Sequence, residues 1–346
     1  MKCVTVLMGI LTVVVCISLN FFPQLHAKAV AYVQEKEEEN STERVKTHRR
    51  DPATVVEEDA GISAQLRIEL PKQLTMNDLT IENDYVKQTV YIRFPDGVDD
   101  YFQEYSIRGS SDHIADLSYY KQNGQGVIML ELDRVYELQN TMEAGNLYMN
   151  FLSPHDIYDK VVVIDAGHGG SAAGAVKKGY CEKDVDLAIV QKLKEILDTD
   201  TENIGVYYTR LDDSNPSLDA RVQMANKADA DLFISVHNNS TASGHMSSLN
   251  GTQVMYSESD DSELSSERFA RICLDNVVAQ CGSRSIGLLP GDEIYIIRTS
   301  NVPVALIEVG FMTNNSELQK LNSEEYQSQA AQGIYQAMKQ AFQEGY

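Results

Sequence analysis

The sequence predicts an α/β protein: a mostly parallel sheet flanked by helices, preceded by a small all-β sandwich. Three observations support this prediction. A continuous apolar run at residues 161–164 leads into a glycine-rich loop, and apolar strands alternate with helical periods from residue 160 onward. In residues 62–154, apolar and polar side chains instead alternate with a period of two. Continuous runs are typical of strands covered on both faces, whereas alternation is typical of strands with one buried face.

Length and composition bound the possible functions. The chain has 346 residues, which is enough for about two domains of roughly 100–200 residues each. Its hydrophobic fraction of 43% is that of a folded protein. The net charge of −22 would repel nucleic acid, so we expect no nucleic-acid partner. We also predict a monomer.

The amino terminus is predicted to carry a targeting signal. Residues 3–22 form a nearly uninterrupted apolar stretch, and a bilayer core needs about 20 such residues. We therefore expect residues 1–30 to be either a signal peptide, removed at the small-x-small site 27–29, or an uncleaved anchor in the cytoplasmic membrane. Both alternatives predict an extracytoplasmic protein, secreted or anchored at the cell envelope.

Two segments separate this signal from the parallel sheet. Residues 31–60 are highly charged and lack apolar periodicity, which predicts a disordered linker. Residues 61–156 are predicted to form the β-sandwich, because short apolar runs are separated there by turn signals. These runs are residues 65–70, 89–94 and 127–132. No cluster of His, Asp or Glu that would indicate a catalytic site stands out in this segment, so binding or positioning is its expected role.

Residues 157–346 are predicted to form the catalytic domain. Its predicted strands include residues 161–165, 206–209, 231–237 and 304–309. Its predicted helices include residues 187–197, 218–228, 269–280 and 326–342. Alternation of this kind is typical of a mostly parallel sheet between layers of helices.

Ionisable side chains occur at the strand ends of this domain. His168 and His237 follow apolar strands, Glu308 lies within another, and Glu182 opens a helix. Because the carboxyl ends of parallel strands share one edge of a sheet, these side chains can converge. Two histidines and a carboxylate are a common zinc set that leaves a fourth position for water. A second carboxylate is what a hydrolase needs as a general base.

Other interpretations of the same residues are weaker. A single histidine after a strand is often structural, and Glu182 alone could be a first-turn residue stabilised by the helix dipole. A carboxylate such as Glu308 inside an apolar strand is harder to explain, because its burial costs several kcal/mol. Residues 167–172 fit the G-x-G-x-x-A dinucleotide fingerprint, but the loop continues instead of entering a helix. We therefore favour a catalytic metal site.

These residues resemble a known family, the zinc-dependent N-acetylmuramoyl-L-alanine amidases called Amidase_3. The resemblance covers residue 160 to the carboxyl end, through the motifs IDAGHGG, CEKDVDLAI, YYTRLDD, ARVQMAN, ADLFISVHNNS and PVALIEVGFMTNNSE. It implies that His168, Glu182 and His237 are ligands of Zn2+ and that Glu308 is the catalytic carboxylate. Arg298, shortly before the last of these strands, is a candidate contact for a carboxylate of the substrate.

The chain departs from the family pattern at two places. The family usually has an aspartate shortly after its GHGG, where this chain has Ala172. It commonly has His-Ala-Asn where this chain has His237-Asn238-Asn239. The first departure could loosen the loop between His168 and Glu182, but neither departure removes a ligand.

The resemblance also implies a function. The predicted enzyme is a peptidoglycan hydrolase that cleaves the amide bond between N-acetylmuramic acid and L-alanine of the stem peptide, using zinc-activated water. A zinc peptidase acting on the stem peptide and a non-catalytic peptidoglycan-binding protein remain as alternatives. Residues 61–156 resemble the AMIN module, which implies that they target the enzyme to the envelope.

Overall fold

The structure is a computed structural model that describes residues 47–50, 64–71, 74–110 and 112–346, the first range through its backbone alone. The predicted signal peptide or anchor, residues 1–30, lies outside these ranges, as does most of the predicted linker. Residues Thr47–Arg50 nevertheless form a strand, β1, inside that linker. It pairs with a distant strand, Ile114–Gln122, and such a long-range pairing leaves no local apolar period to predict it.

Two antiparallel sheets form the amino-terminal domain, which confirms the predicted all-β sandwich. After β1 its elements are β2 (Leu66–Glu69), β3 (Thr80–Asp84), β4 (Thr89–Phe94), a short helix α1 (Tyr101–Glu104), β5 (Ile107–Gly109), β6 (Ile114–Gln122), β7 (Gln125–Leu132), β8 (Glu137–Glu143) and β9 (Asn146–Leu152). The strand orders are β1-β6-β7-β4-β3 and β5-β2-β9-β8. Side chains of both sheets, such as Phe94 and Leu147, share one core.

The second domain alternates strands and helices. Its elements are β10 (Lys160–Ala166), β11 (Val176–Lys177), β12 (Tyr180–Cys181), α2 (Glu182–Leu197), β13 (Ile204–Tyr208), α3 (Leu218–Lys227), β14 (Leu232–Asn239), β15 (Thr252–Tyr256), α4 (Ser266–Cys281), β16 (Ser285–Pro290), α5 (Tyr295–Arg298), β17 (Val304–Phe311), α6 (Asn315–Leu321) and α7 (Glu324–Gln343). Within the described ranges, no helix has both the length and the apolar character needed to cross a membrane.

The six-stranded sheet of this domain has the order β13-β10-β14-β17-β15-β16. All neighbouring pairs are parallel except β15 with β17, so the predicted mostly parallel sheet is confirmed. Val162 and Ile164 pack on one face with α2, α4 and α7, whereas Val161 and Val163 pack on the other face with α3 and α5. Helices on both faces explain why β10 is continuously apolar.

The two domains are joined by a buried contact. Val135 is 2% exposed and packs in the same cluster as the α3 face of the mixed sheet. Its amide donates to the carbonyl of Lys227 at 3.1 Å. The hydroxyls of Tyr85 and Tyr207 both donate to the carboxylate of Glu137, at 2.8 and 2.7 Å. Since Lys227 ends α3 just before β14 begins, this contact lies towards the amino-terminal ends of the parallel strands.

We expect the substitution Val135→Ala to lower the free energy of unfolding by about 1–3 kcal/mol, because it leaves a cavity between the domains. Denaturant unfolding of the purified protein would measure the change. Val176→Ala is the matched control, because Val176 is 49% exposed and its truncation leaves no cavity. Equal unfolding midpoints for Val135→Ala and the unchanged protein would show that this contact does not stabilise the fold.

Candidate active site

Three of the predicted site residues meet at the carboxyl edge of the mixed sheet. Glu182 Oε1 lies 3.0 Å from His168 Nε2 and 3.2 Å from His237 Nδ1. The centroids of the two imidazole rings are 4.8 Å apart, and the ring planes are inclined by 78°. The strand ends thus bring together side chains that are far apart in the sequence. Their role as ligands stays a prediction.

Sheet register places Glu308 in the same site. In the parallel pairing of β14 with β17, Glu308 is the partner of His237. On its other side Glu308 is the partner of Gln253 in β15. Neighbouring residues in register point to the same face of a sheet. Glu308 therefore lies on the same face of the sheet as His237. A general base that acts beside the candidate ligands has to lie on that face.

Glycines allow the side chains to approach closely. A Cβ at Gly167 would lie 2.3 Å from the ring of His237, and a Cβ at Gly174 would lie 2.6 Å from the carboxylate of Glu182. His168 itself has a φ of +58°, a left-handed conformation that few residues other than glycine adopt. Such a conformation persists only where its surroundings hold it. Here the Arg221 guanidinium donates to the carbonyl of His168 at 2.5 Å.

A buried ion pair supports this loop. Arg221 Nη1 donates to Asp165 Oδ1 at 2.6 Å, and the two side chains are only 3% and 1% exposed. The hydroxyls of Thr209 and Ser235 also donate to Asp165, each at 2.6 Å. Burial alone would raise the pKa of Asp165, but Arg221 and the two hydroxyls outweigh it and lower that pKa. Arg210 adds bonds to the two carbonyls that precede His168.

Glu182 is the centre of the cluster. Its Oε2 accepts the amide of Ala175 at 2.7 Å, and its Oε1 accepts the amide of Asn238 at 3.2 Å. Burial alone would raise the pKa of Glu182, but hydrogen bonds from His168 and His237, together with their charge, lower this pKa well below its usual range. The carboxylate is therefore ionised and available to a cation.

Asp186 belongs to the same cluster, and the sequence analysis missed it. One ligand atom from each of His168, Glu182, Asp186 and His237 lies within 4.8 Å of the other three. Asp186 is one helical turn after Glu182 in α2. Residues four apart share one face of a helix, and Asp186 falls among the apolar positions of that face. This spacing is the signal that could have found it.

Several oxygens of the cluster lack a hydrogen-bond partner. They are Asp186 Oδ2, Asn238 Oδ1 and Glu308 Oε2, and the described residues contain only two other such buried atoms, in Ser118 and Asn140. Burial, with the nearby charge of Glu182, raises the pKa of Glu308 to about 8 and that of Asp186 well above its usual range.

Unpaired buried oxygens of this kind are rare in folded proteins. Three oxygens without hydrogen-bond partners, next to two imidazoles and an ionised carboxylate, are groups that a cation would stabilise. Imidazole nitrogen and carboxylate oxygen are ligand atoms that Zn2+ takes in proteins. The residues present therefore fit a zinc ion.

Arg298 lies elsewhere in the domain. It ends α5, before the amino-terminal end of β17, and its guanidinium donates to the carbonyls of Asp292 and Glu293 at 2.9 and 3.2 Å. Within the described part of the chain, its contacts are with these carbonyls and the ring of Tyr295, away from His168 and Glu308. The structure does not bring it together with the cluster, and its contact with a substrate stays a prediction.

Fold and site together define an α/β enzyme with a candidate divalent-cation centre at the carboxyl edge of its sheet. The family model described as N-acetylmuramoyl-L-alanine amidase, Amidase_3, matches residues 162–340. The chain belongs to this family, and its predicted enzymatic class is thereby confirmed.

Relatives and solved structures agree with this assignment. The chain is 40% identical over 182 residues to the uncharacterized protein YqiI of Bacillus subtilis, covering 51% of this chain and 82% of the relative. It is 33% identical over 179 residues to the N-acetylmuramoyl-L-alanine amidase LytC of the same organism, covering 52% of this chain but 35% of LytC. The crystal structure of an N-acetylmuramoyl-L-alanine amidase from Clostridium difficile 630 is 33% identical, with a TM-score of 0.50, over 54% of this chain and 98% of that one.

Proposed function

We propose that this amidase is zinc-dependent and cleaves the amide bond between N-acetylmuramic acid and L-alanine of the peptidoglycan stem peptide. The observation that carries the proposal is the convergence of His168, Glu182 and His237 around one point, with Glu308 in register beside His237. The bond itself is supported by the family to which the chain belongs.

In this proposal His168, Glu182 and His237 hold the ion. A bound Zn2+ would supply Lewis acidity and a water of lowered pKa. Glu308 takes a proton from the attacking water and then delivers it to the nitrogen of the departing L-alanine. Oε2 has no competing hydrogen bond among the described residues, and the positive charge of the ion would favour the ionised form of Glu308 that accepts a proton.

Digestion of purified murein tests the proposal. We expect the enzyme to release L-alanine amino termini while the sugar strands stay whole, to lose this activity in a chelator, and to regain it when Zn2+ is added. Amino-terminal analysis of the products and metal analysis of the protein are the measurements. New amino termini within the stem peptide would identify a zinc peptidase instead, and binding of murein without cleavage would identify a non-catalytic protein.

A pair of histidine variants provides the matched control. His237→Ala removes a proposed ligand, so we expect the loss of both bound zinc and activity. His245→Ala removes an exposed loop histidine eight residues further along, and we expect it to keep both. If His237→Ala retained as much zinc as His245→Ala, His237 would not be a ligand.

The remaining parts of the chain are proposed to control where the enzyme acts. An extracytoplasmic site of action agrees with relatives that are named cell wall amidases. We propose that residues 1–30 export or anchor the chain and that residues 61–156 bind an envelope component. The buried contact at Val135 supports a fixed position of this second segment relative to the catalytic domain.

A further inference from the structure

Asp186 is a buried carboxylate that the proposed mechanism does not use. It is 0% exposed, and it lies one turn after Glu182 on the face of α2 that covers the mixed sheet. The described residues contain one cluster of side chains that could together bind a metal ion, and Asp186 is its fourth member beside His168, Glu182 and His237. Its position is therefore at the candidate metal centre, and its burial leaves it no access to solvent.

Asn238 fixes the orientation of Asp186. Asn238 directly follows His237 and is 2% exposed. Its side-chain amide donates to Asp186 Oδ1 at 2.7 Å, and its backbone amide donates to Glu182 Oε1 at 3.2 Å. One residue thus holds both carboxylates. The second oxygen of Asp186, Oδ2, has no hydrogen-bond partner.

A purely structural role does not explain this arrangement. A neutral side chain at position 186 could accept the same bond from Asn238 without placing a carboxylate near Glu182 and Glu308. The guanidinium of Arg210, which also lies in this region, already donates to backbone carbonyls. Three carboxyl groups buried this close together can all be ionised only where a positive charge compensates them. A divalent cation at the cluster is the charge that would do so.

We propose that Asp186 is a further member of the metal centre, a carboxylate held by Asn238 that strengthens the binding of a divalent cation to His168, Glu182 and His237. This inference rests on the proposed metal site. Asp186 is a positioning residue in this scheme, since it acts through the cation and its ligands. Partners of this kind, which surround the ligands of a metal, typically change its affinity by about 10–100-fold.

The first test compares two asparagine substitutions in the same helix. Asp186→Asn removes the buried carboxyl group, and Asp184→Asn removes an exposed one two residues away. We expect Asp186→Asn to raise the dissociation constant for Zn2+ by about 10–100-fold, measured by competition with a chromogenic chelator, and Asp184→Asn to leave it within about twofold. Zinc affinity of Asp186→Asn equal to that of the unchanged protein would overturn the inference.

Thermal unfolding gives a second readout that a structural role would not produce. In the presence of a chelator, Asp186→Asn should unfold at the same temperature as the unchanged protein or at a higher one, because a buried carboxyl group with an unpaired oxygen has been removed. The increase in unfolding temperature on adding Zn2+ should be smaller for this variant. An unfolding temperature lowered equally with and without Zn2+ would assign Asp186 to the fold alone.

Asn238→Ala keeps the inference testable if Asp186→Asn does not fold. It retains both carboxylates but removes the side-chain amide that holds Asp186, so we expect a weaker loss of zinc affinity in the same direction; unchanged affinity would count against the inference. Failure of the proposed function has a different outcome. If the unchanged protein itself binds no Zn2+, the proposed metal site is wrong. If the unchanged protein binds Zn2+ and Asp186→Asn binds it equally well, the metal site stands and only the role of Asp186 is rejected.

Discussion

Glu308→Gln is expected to lower kcat on murein by about 10²–10⁴-fold, the usual contribution of a general acid–base residue, without changing the zinc content of the protein. Glutamine has nearly the shape of glutamate but cannot accept the proton of the attacking water. Its partners in register, His237 and Gln253, are unchanged, so the position of the side chain in β17 should be kept.

Glu325→Gln is the matched control, because this glutamate is exposed at the start of α7. Its activity should equal that of the unchanged protein. The measurements are the initial rate of murein digestion and the zinc content after dialysis. If Glu308→Gln kept activity within about tenfold, Glu308 would not be the proton acceptor. If it lost zinc as well as activity, Glu308 would belong among the ligands.

Arg221→Met is expected to lower the free energy of unfolding by about 3–5 kcal/mol, because it leaves Asp165 as a buried carboxylate without its partner. The same substitution removes the donor that holds the carbonyl of His168, whose backbone is left-handed. Zinc affinity should therefore fall together with stability. Arg271→Met, on the exposed side of α4, is the control and should change the free energy of unfolding by no more than about 0.5 kcal/mol.

The ion pair of Arg221 with Asp165 also determines how stability depends on acidification. The pKa of Asp165 is lower in the folded protein than its unfolded-state value of about 3.9, so its contribution is complete at neutral pH and is lost as the pH falls below about 4. Asp165→Asn cannot titrate there. We therefore expect the stability difference between the unchanged protein and Asp165→Asn to shrink with acidification, as measured by denaturant unfolding at several pH values. A difference that stayed constant with pH would show that Asp165 is not ionised in the folded protein.

Much of the fold could be predicted from local patterns. The run at residues 161–164 indicated a strand covered on both faces, and β10 indeed packs against a layer of helices on each side. The period of two in residues 62–154 indicated the sandwich. The antiparallel pairing of β15 with β17 was not predicted, since strand direction depends on how the chain connects the strands and not on apolar periodicity. The strand β1 was missed for a similar reason.

The candidate site was predicted in part. His168 and His237 stand out because they follow apolar runs, Glu308 because it interrupts one, and Glu182 because it opens a helix. Asp186 does not stand out in this way, since one charged residue in a helix is normally at its solvent-exposed face. Arg298 lies close to β17 in the sequence, but closeness in sequence does not decide at which end of a strand a side chain lies.

The sequence by itself determined the class of fold, the order of the two domains and the histidine and carboxylate side chains at the strand ends, because burial against a sheet leaves a local apolar period. Only the tertiary structure decided that Glu182 contacts both imidazoles, that Asn238 joins Glu182 to Asp186, and that Val135 connects the domains. These contacts are made between residues distant in the chain. Their distances depend on strand register and helix packing, which no local pattern records.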